Sequence, residues 1–328
     1  MRAVQITDLS GPASALAETD LPEPESSHPL TPGSGVLIDV HAAGVSFPEV
    51  LQSRGQYQIQ PDLPFVPGSE VAGTVRSAPD GSGLAEGDRV AGCCLLGGWA
   101  EVAVAPDFLT FKLPDDLDYA QGAALVLNYH TAYFSLKHRG RLSEGETVLV
   151  HGAAGGVGTA TLQVAKGLGA RTFAVVSSDE KEQIAREAGA DEVVRSDGPW
   201  KDEVKERSDG GVDIVIDPVG GDRFTDSLRS LRENGRLVVV GFTGGSIPEV
   251  RVNRLLLNNL EVVGAGWGAF VMGKRDVNRE IGDAVNRLVD EGFVRPIVGA
   301  RFPLERASEA LELIDSRAAT GKVVLELR

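Results

Sequence analysis

Val148-Leu149-Val150-His151-Gly152-Ala153-Ala154-Gly155-Gly156-Val157-Gly158 is an apolar strand that opens into a glycine-rich turn. After it, Leu162, Val164, Ala165 and Leu168 recur at helical spacing, and Arg171 to Val176 reads as a second strand. Strand, turn, helix and strand make a βαβ unit of about the length that binds a dinucleotide. Glycines let the backbone bend sharply and approach a pyrophosphate, whose charge then meets the amides and positive dipole end of the new helix. This assigns Ala154, Gly155, Gly156 and Val157 to a phosphate cradle. A glycine turn alone also occurs in structural loops, but here the complete unit is present.

The end of the second strand discriminates between cofactors. NAD sites usually place Asp or Glu there, about 20 residues past the glycines, to bind the ribose 2′-hydroxyl. This chain has Ser177-Ser178, followed by Asp179, Glu180 and Lys181. A carboxylate ~4 Å from a 2′-phosphate would repel it by about 4 kcal/mol per unit charge at an effective dielectric near 20. Ser177 and Ser178 remove that penalty and offer hydroxyl donors. Lys181 either pairs with the phosphate or is simply a solvated helix residue. NADPH is the expected cofactor, with Asp179 and Glu180 arguing the other way.

At 328 residues, 42% hydrophobic and 24% charged, the chain is long enough for two domains with their own cores. A net charge of −15 speaks against nucleic acid or an anionic membrane as partner. No run approaches the ~20 apolar residues of a membrane span, and no charged-then-apolar leader opens the sequence. The only cysteines are the adjacent Cys93 and Cys94, which excludes a disulfide framework. A cytoplasmic protein is the expectation.

The rhythm of the chain changes along its length. Residues 1–122 read as β-rich, with strands at Gly35 to His41, Glu70 to Val75, Arg89 to Gly92 and Trp99 to Val104 between Gly/Pro punctuation. Glu18 to Ser34, rich in Pro and Ser, reads as loop. Residues 123–265 alternate helix and strand, beginning with a helix over Leu125 to His138. Their short apolar strands fit a parallel sheet covered on both faces. Residues 266–328 hold two helices and a last strand, Lys322 to Leu327, that requires a sheet to join. The expected fold class is α/β: a β-rich domain split in sequence around an inserted doubly wound domain.

Six segments together resemble one family. They are Leu63-Pro64-Phe65-Val66-Pro67-Gly68-Ser69-Glu70-Val71-Ala72-Gly73, Gly87-Asp88-Arg89-Val90, Gly98-Trp99-Ala100-Glu101, the glycine turn, Asp217-Pro218-Val219-Gly220-Gly221 and Gly321-Lys322-Val323-Val324. In order and spacing they resemble the medium-chain dehydrogenase/reductase superfamily, specifically its zinc-free quinone oxidoreductase (zeta-crystallin-like) branch. The resemblance implies a GroES-like catalytic domain split around a Rossmann domain, and a homodimer. Zinc-dependent relatives ligate the metal with Cys and His where this chain has Ser46 and Ser69, and neutral serines are poor zinc ligands. No metal is expected. Without a Lewis acid, alcohol oxidation is hard, whereas a quinone or enone already carries an electron sink for a hydride. The expected activity is NADPH-dependent reduction of quinones or other α,β-unsaturated carbonyls. An enoyl-thioester reductase is the alternative, as is a non-enzymatic NADPH-binding structural or RNA-binding relative.

The same resemblance assigns individual residues. Ser46 and Glu49 stand where the family's first catalytic loop has Asn and Asp, and either would bind nicotinamide ribose or substrate; equally, Glu49 simply starts a helix after Pro48. Tyr57 matches a family tyrosine whose phenol could donate to an oxyanion, or it is a half-buried loop aromatic. Leu51 replaces a second family tyrosine. Thr131, with Asn128, corresponds to cofactor contacts. Val219 and the run Gly241-Phe242-Thr243 follow strands at their carboxyl ends, where ligands bind. Arg317 and Lys322 match basic positions near the adenosine phosphate.

Overall fold

The computed structural model describes residues 1–328. The chain divides into two compact units: Met1–Leu127 with Val271–Asp283 and Pro296–Arg328, and Asn128–Phe270 with Ala284–Arg295. No helix is long and apolar enough to cross a membrane.

The second unit grows from the βαβ segment. Its sheet runs in the order Glu192–Arg195, Arg171–Val176, Thr147–His151, Val212–Asp217, Leu231–Val239, Glu261–Gly264, every pair parallel. Strands covered on both faces must be apolar from end to end, and all of Thr147–His151 is buried. Leu149, Phe173, Val175, Val215 and Leu237 form one side of the core with Trp200 and Phe224 from the helices. Sequence order reverses at Thr147–His151, whose neighbours are the next strand along the chain and, on the other side, Val212–Asp217. Ligands of open α/β sheets bind outside the carboxyl ends at such a reversal. Both the glycine turn and Pro218–Gly221 emerge there.

The first unit is built around Val36–Val45, which pairs with Lys322–Glu326, Glu70–Ser77 and Val102–Ala105. Arg89–Cys93, Thr110–Lys112 and Val298–Pro303 complete a seven-stranded sheet. Its core gathers Ile38, Val40, Val71, Val90, Trp99 and Leu325. The register Val45↔Val323 brings Ser46, which caps the helix Phe47–Gln52 with Pro48 and Glu49 in its first turn, beside Lys322. Split domain and inserted doubly wound sheet are therefore both present, as the α/β reading required.

Several details differ from expectation. The helix read over Leu125 to His138 is α-helical only at Val126–Tyr133, then widens into a π-helical turn, Phe134–Arg139. The strand read from Trp99 starts at Val102, because Trp99 is turned inward and its indole N–H donates to the Gly44 carbonyl at 3.0 Å. The expected loop over Glu18 to Ser34 begins inside a strand, Leu16–Asp20, paired with Arg2–Ile6. Val298–Pro303 is a strand that its Gly and Pro content hid. The boundaries shift as well: Ala284–Arg295 packs with the second unit, and the helix Arg275–Asp290 carries the chain from one unit into the other.

The pairing of Val298–Pro303 with Lys322–Glu326 depends on Gly299, where a Cβ would lie 1.6 Å from the Thr320 carbonyl oxygen. Gly299→Ala should destabilise the first unit by about 1–3 kcal/mol, the usual cost of overpacking. Urea unfolding read by Trp99 fluorescence measures this, and an unchanged midpoint would refute it.

Candidate functional site

The nucleotide cradle of the second unit is shaped by close approaches. A Cβ on Gly158 would meet the Gly152 carbonyl oxygen at 2.2 Å, and one on Gly156 would meet Asn128 Nδ2 at 2.5 Å. Above Gly155 the space is open apart from Gly152 O at 3.4 Å. Gly155 caps the helix Gly156–Gly167, whose first amides have no intrahelical acceptor and face that opening. An anion fits there. Asn128 is buried against the turn, and Thr131 lies one helical turn further on.

Asp217 ties the neighbouring loop to the cradle. Its Oδ1 accepts from the amides of Val219 and Gly220, both at 2.9 Å. The Thr243 hydroxyl and amide both donate to the Pro218 carbonyl at 3.1 Å, and Gly241 donates to Asp217 O at 3.4 Å. A Cβ on Gly152 would touch Val219 Cγ2 at 3.2 Å, and one on Gly220 would touch Phe242 Cδ1 at 3.0 Å. Val219, Gly241, Phe242 and Thr243 are thus gathered beside the glycine turn. His151, at the end of the same strand, is buried and donates from Nε2 to Ser227 Oγ at 2.8 Å, since that hydroxyl gives its own proton to Arg223 O. Burial lowers its imidazole to about 4, so it is a neutral packing group near pH 7.

At the end of the next strand, Ser177 is exposed and Ser178 caps the helix Asp179–Glu187, accepting from the Lys181 amide. Lys181 lies in the first turn of that helix.

The first unit holds a buried polar cluster. Glu49 is fully buried; its Oε1 accepts from the Ser69 amide at 3.0 Å and hydroxyl at 2.7 Å, and its Oε2 from the Ser46 amide at 2.9 Å. Burial raises the Glu49 carboxyl above the usual carboxylate range, against the pull of the Ser69 hydrogen bond and the Lys322 charge. Lys322 Nζ donates to Ser46 Oγ at 2.6 Å and is ion-paired to Glu70 Oε1, whose other oxygen accepts from the Leu127 amide at 2.8 Å. Tyr57, half-buried, has its phenol raised by burial and then by Glu49 and Cys93, so it keeps its proton. Burial, with Glu70 nearby, pushes the Cys93 thiol up to about 12, and Cys94 is raised likewise. Neither is a thiolate near neutral pH.

Two assignments need comment. Lys322, read as a phosphate ligand, is instead committed to Glu70 and Ser46; a basic residue in a strand at inward register can serve a carboxylate of its own fold. Arg317 is exposed in the first unit at φ +60° and is not part of this cluster. Sequence reasoning gave Glu70, Ser69 and Asp217 no positive role. The signal for Asp217 was present, since Asp followed by Pro-Val-Gly-Gly is the pattern of a side chain capping its own turn.

Comparison with known proteins agrees with both units. Residues 32–115 match the family described as alcohol dehydrogenase GroES-like domain, and residues 156–285 that described as zinc-binding dehydrogenase. The chain is 39% identical over 332 residues to quinone oxidoreductase-like protein 2 of Bos taurus, covering 100% of this chain and 93% of that one. It is 42% identical to a probable oxidoreductase from Mycobacterium abscessus, with a TM-score of 0.88 over 100% of this chain and 99% of that structure. A mycobacterial protein solved with NADPH is 34% identical, with a TM-score of 0.88 over the whole of both chains.

The second description names zinc, and the residues here do not fit it. Ser46 and Ser69 are neutral, and the Lys322 ammonium lies 2.6 Å from Ser46 Oγ, where it would repel a dication. No three His, Cys, Asp or Glu side chains are grouped for a metal ion.

The Lys322 and Glu70 side chains are 3% and 1% exposed. Lys322→Met should therefore cost about 3–5 kcal/mol by leaving a buried carboxylate unpaired, and Lys322→Met with Glu70→Leu should recover most of it. A double-mutant cycle in urea measures the coupling; additive losses would refute it. For Glu49, a folded value above the unfolded one means its contribution is complete below the unfolded value and is lost as pH rises through the folded one. The stability of the wild type relative to Glu49→Gln should therefore fall as pH rises from the ordinary carboxylate range through the raised folded value. A flat difference would count against the raised carboxyl.

Proposed function

Because the chain is an oxidoreductase of the zinc-free quinone oxidoreductase family of medium-chain dehydrogenases/reductases, we propose that it reduces quinones or other α,β-unsaturated carbonyls with NADPH and without a metal. The supporting observation is the Lys322–Ser46 contact: an ammonium, rather than a dication, polarises the residue at the head of the first catalytic loop.

NADPH would be held by the amides after Gly155, by Asn128 and Thr131, and by the loops carrying Val219 and Gly241 to Thr243, and when bound it supplies a hydride. The protein's part is to stabilise the charge that develops on the acceptor oxygen. Ser46 Oγ accepts from Lys322 Nζ, so its own proton is directed elsewhere, and the residue is only half-buried. It donates a hydrogen bond to the acceptor oxygen, with Lys322 Nζ polarising the hydroxyl from behind, and water supplies the proton that completes the product. Glu49 fixes the start of the helix Phe47–Gln52 by accepting from the Ser46 amide. Tyr57, kept protonated by its surroundings, is the second donor. Such positioning matters because a misplacement of about 1 Å can cost on the order of a hundredfold in rate.

A homodimer is part of the same reading. Glu261–Gly264 is a sheet edge paired on one side only, and the helix leading into it exposes Leu256 at 78% and Leu257 at 75%. Val252 and Ile247 are comparably bare. An open strand beside uncovered leucines suits pairing with a second copy. The buried free thiols of Cys93 and Cys94 suit a reducing, cytoplasmic compartment.

Purified protein should oxidise NADPH with quinones or enones, and more slowly with a crotonyl thioester. Ser46→Ala should lower kcat by about a hundred- to a thousandfold, as loss of one oxyanion donor does, with Tyr57→Phe losing less. Turnover with no acceptor, or with the thioester alone, would overturn the assignment. Light scattering should give twice the chain mass for the wild type and the single mass for Leu256→Glu with Leu257→Glu; a monomeric wild type would dispose of the dimer.

A further inference from the structure

The strands Thr147–His151, Arg171–Val176 and Glu192–Arg195 are neighbours in the sheet, and their carboxyl ends lie side by side. The first runs into the glycine turn and the second into Ser177 and Ser178. The third ends on Arg195, which is in register with Val176. The guanidinium therefore stands at the tip of the strand that carries the two serines. Its Nη2 donates to the Ser177 carbonyl at 3.0 Å and approaches Asp197 at 3.5 Å, while Nη1 is paired with Asp179 Oδ1. Its Nε is buried and has no hydrogen-bond partner.

These partners are an unequal match for an arginine. Asp179 is 95% exposed, so its ion pair is solvated and screened. The buried Nε–H, in contrast, has lost its water and gained nothing. A phosphate dianion offers what is missing: a second charge and several acceptor oxygens, arranged to meet two donors of the guanidinium fork. The ribose of a nucleotide whose pyrophosphate lies at the glycine turn, two strands from Arg195, would reach Ser177 and Ser178 on the strand next to it.

We propose that Arg195 selects the nucleotide's 2′-phosphate, and that Asp179 holds the guanidinium until the phosphate displaces it. This rests on the reading that the second unit binds NADPH. It also gives Asp179 a place in a phosphate site: a carboxylate that would repel the ligand is pinned by the cation that binds it, and on displacement swings into water. Specificity then belongs to a residue 18 positions past Ser177, on a strand where the usual cofactor signature is not sought.

Isothermal titration of 2′,5′-ADP, NADPH and NADH tests the assignment without turnover. The wild type should bind 2′,5′-ADP and prefer NADPH. Arg195→Gln should weaken 2′,5′-ADP and NADPH by roughly ten- to a hundredfold while leaving NADH within about twofold. Arg195→Lys should fall in between, since it keeps the charge and loses the fork. Asp179→Asn should tighten NADPH a few-fold, most at low salt. Unchanged 2′,5′-ADP binding in Arg195→Gln, or equal losses for NADPH and NADH, would overturn the role of Arg195 and leave the NADPH reading standing. Weaker NADPH binding in Asp179→Asn would overturn the displacement. A wild type that ignores 2′,5′-ADP and prefers NADH would remove the NADPH reading itself, and this proposal with it.

Discussion

The pairing of Lys322 with Glu70 is the contact on which the first unit's buried polar cluster depends. Two opposite charges have been taken out of water, which costs several kcal/mol per ion unless each finds its partner at close range. Here the carboxylate has two fixed donors, Lys322 and the Leu127 amide, and the ammonium passes a further hydrogen bond to Ser46. The geometry of the serine hydroxyl is thus set from behind. Glu49 sets the serine's backbone in the same way, through the Ser46 amide. A packed hydrophobic pair could hold the strands together equally well, but it could not orient the Ser46 hydroxyl.

The second unit solves a different problem with the same means. Its reactive partner is not a side chain, so its groups only have to bind and orient. Asp217 does much of this without touching the cofactor's expected path: by gathering the Val219 and Gly220 amides it shapes the loop beside the glycine turn. The close approach of Gly158 to Gly152 fixes where the helix begins. Backbone groups held this rigidly need no reorganisation when an anion arrives.

Most of the architecture was legible in the sequence because it is written in local patterns. The glycine turn, the apolar parallel strands and the change of rhythm near residue 123 each report on neighbours in the chain. The positions of Val219 and of Gly241 to Thr243 at the carboxyl ends of strands were legible for the same reason, and Asn128 lies in the helix Val126–Tyr133 against the glycine turn. What failed depends on distant pairing. Lys322 was placed near the adenosine phosphate by resemblance, since nothing near it in sequence discloses Glu70, and the contact of Arg195 with Ser177 went unread because it comes from sheet order. Val298–Pro303 was hidden by Gly299 and Pro303, residues that weaken a strand signal although an edge position tolerates them.

The hydrogen bond between Lys322 and Ser46 joins residues 276 positions apart. During synthesis the strand Val36–Val45 therefore emerges from the ribosome long before Lys322–Glu326, its partner on one side. Until then its Ala42–Val45 end stays open on that side, with the Glu70 carboxylate waiting for its cation. Most of the inserted unit, Asn128–Phe270, is made in the interval and can assemble from contacts nearer in sequence. The nascent chain should thus acquire the ability to grip a nucleotide before it can carry out a reaction, so premature termination would yield cofactor-binding fragments rather than partly active enzyme.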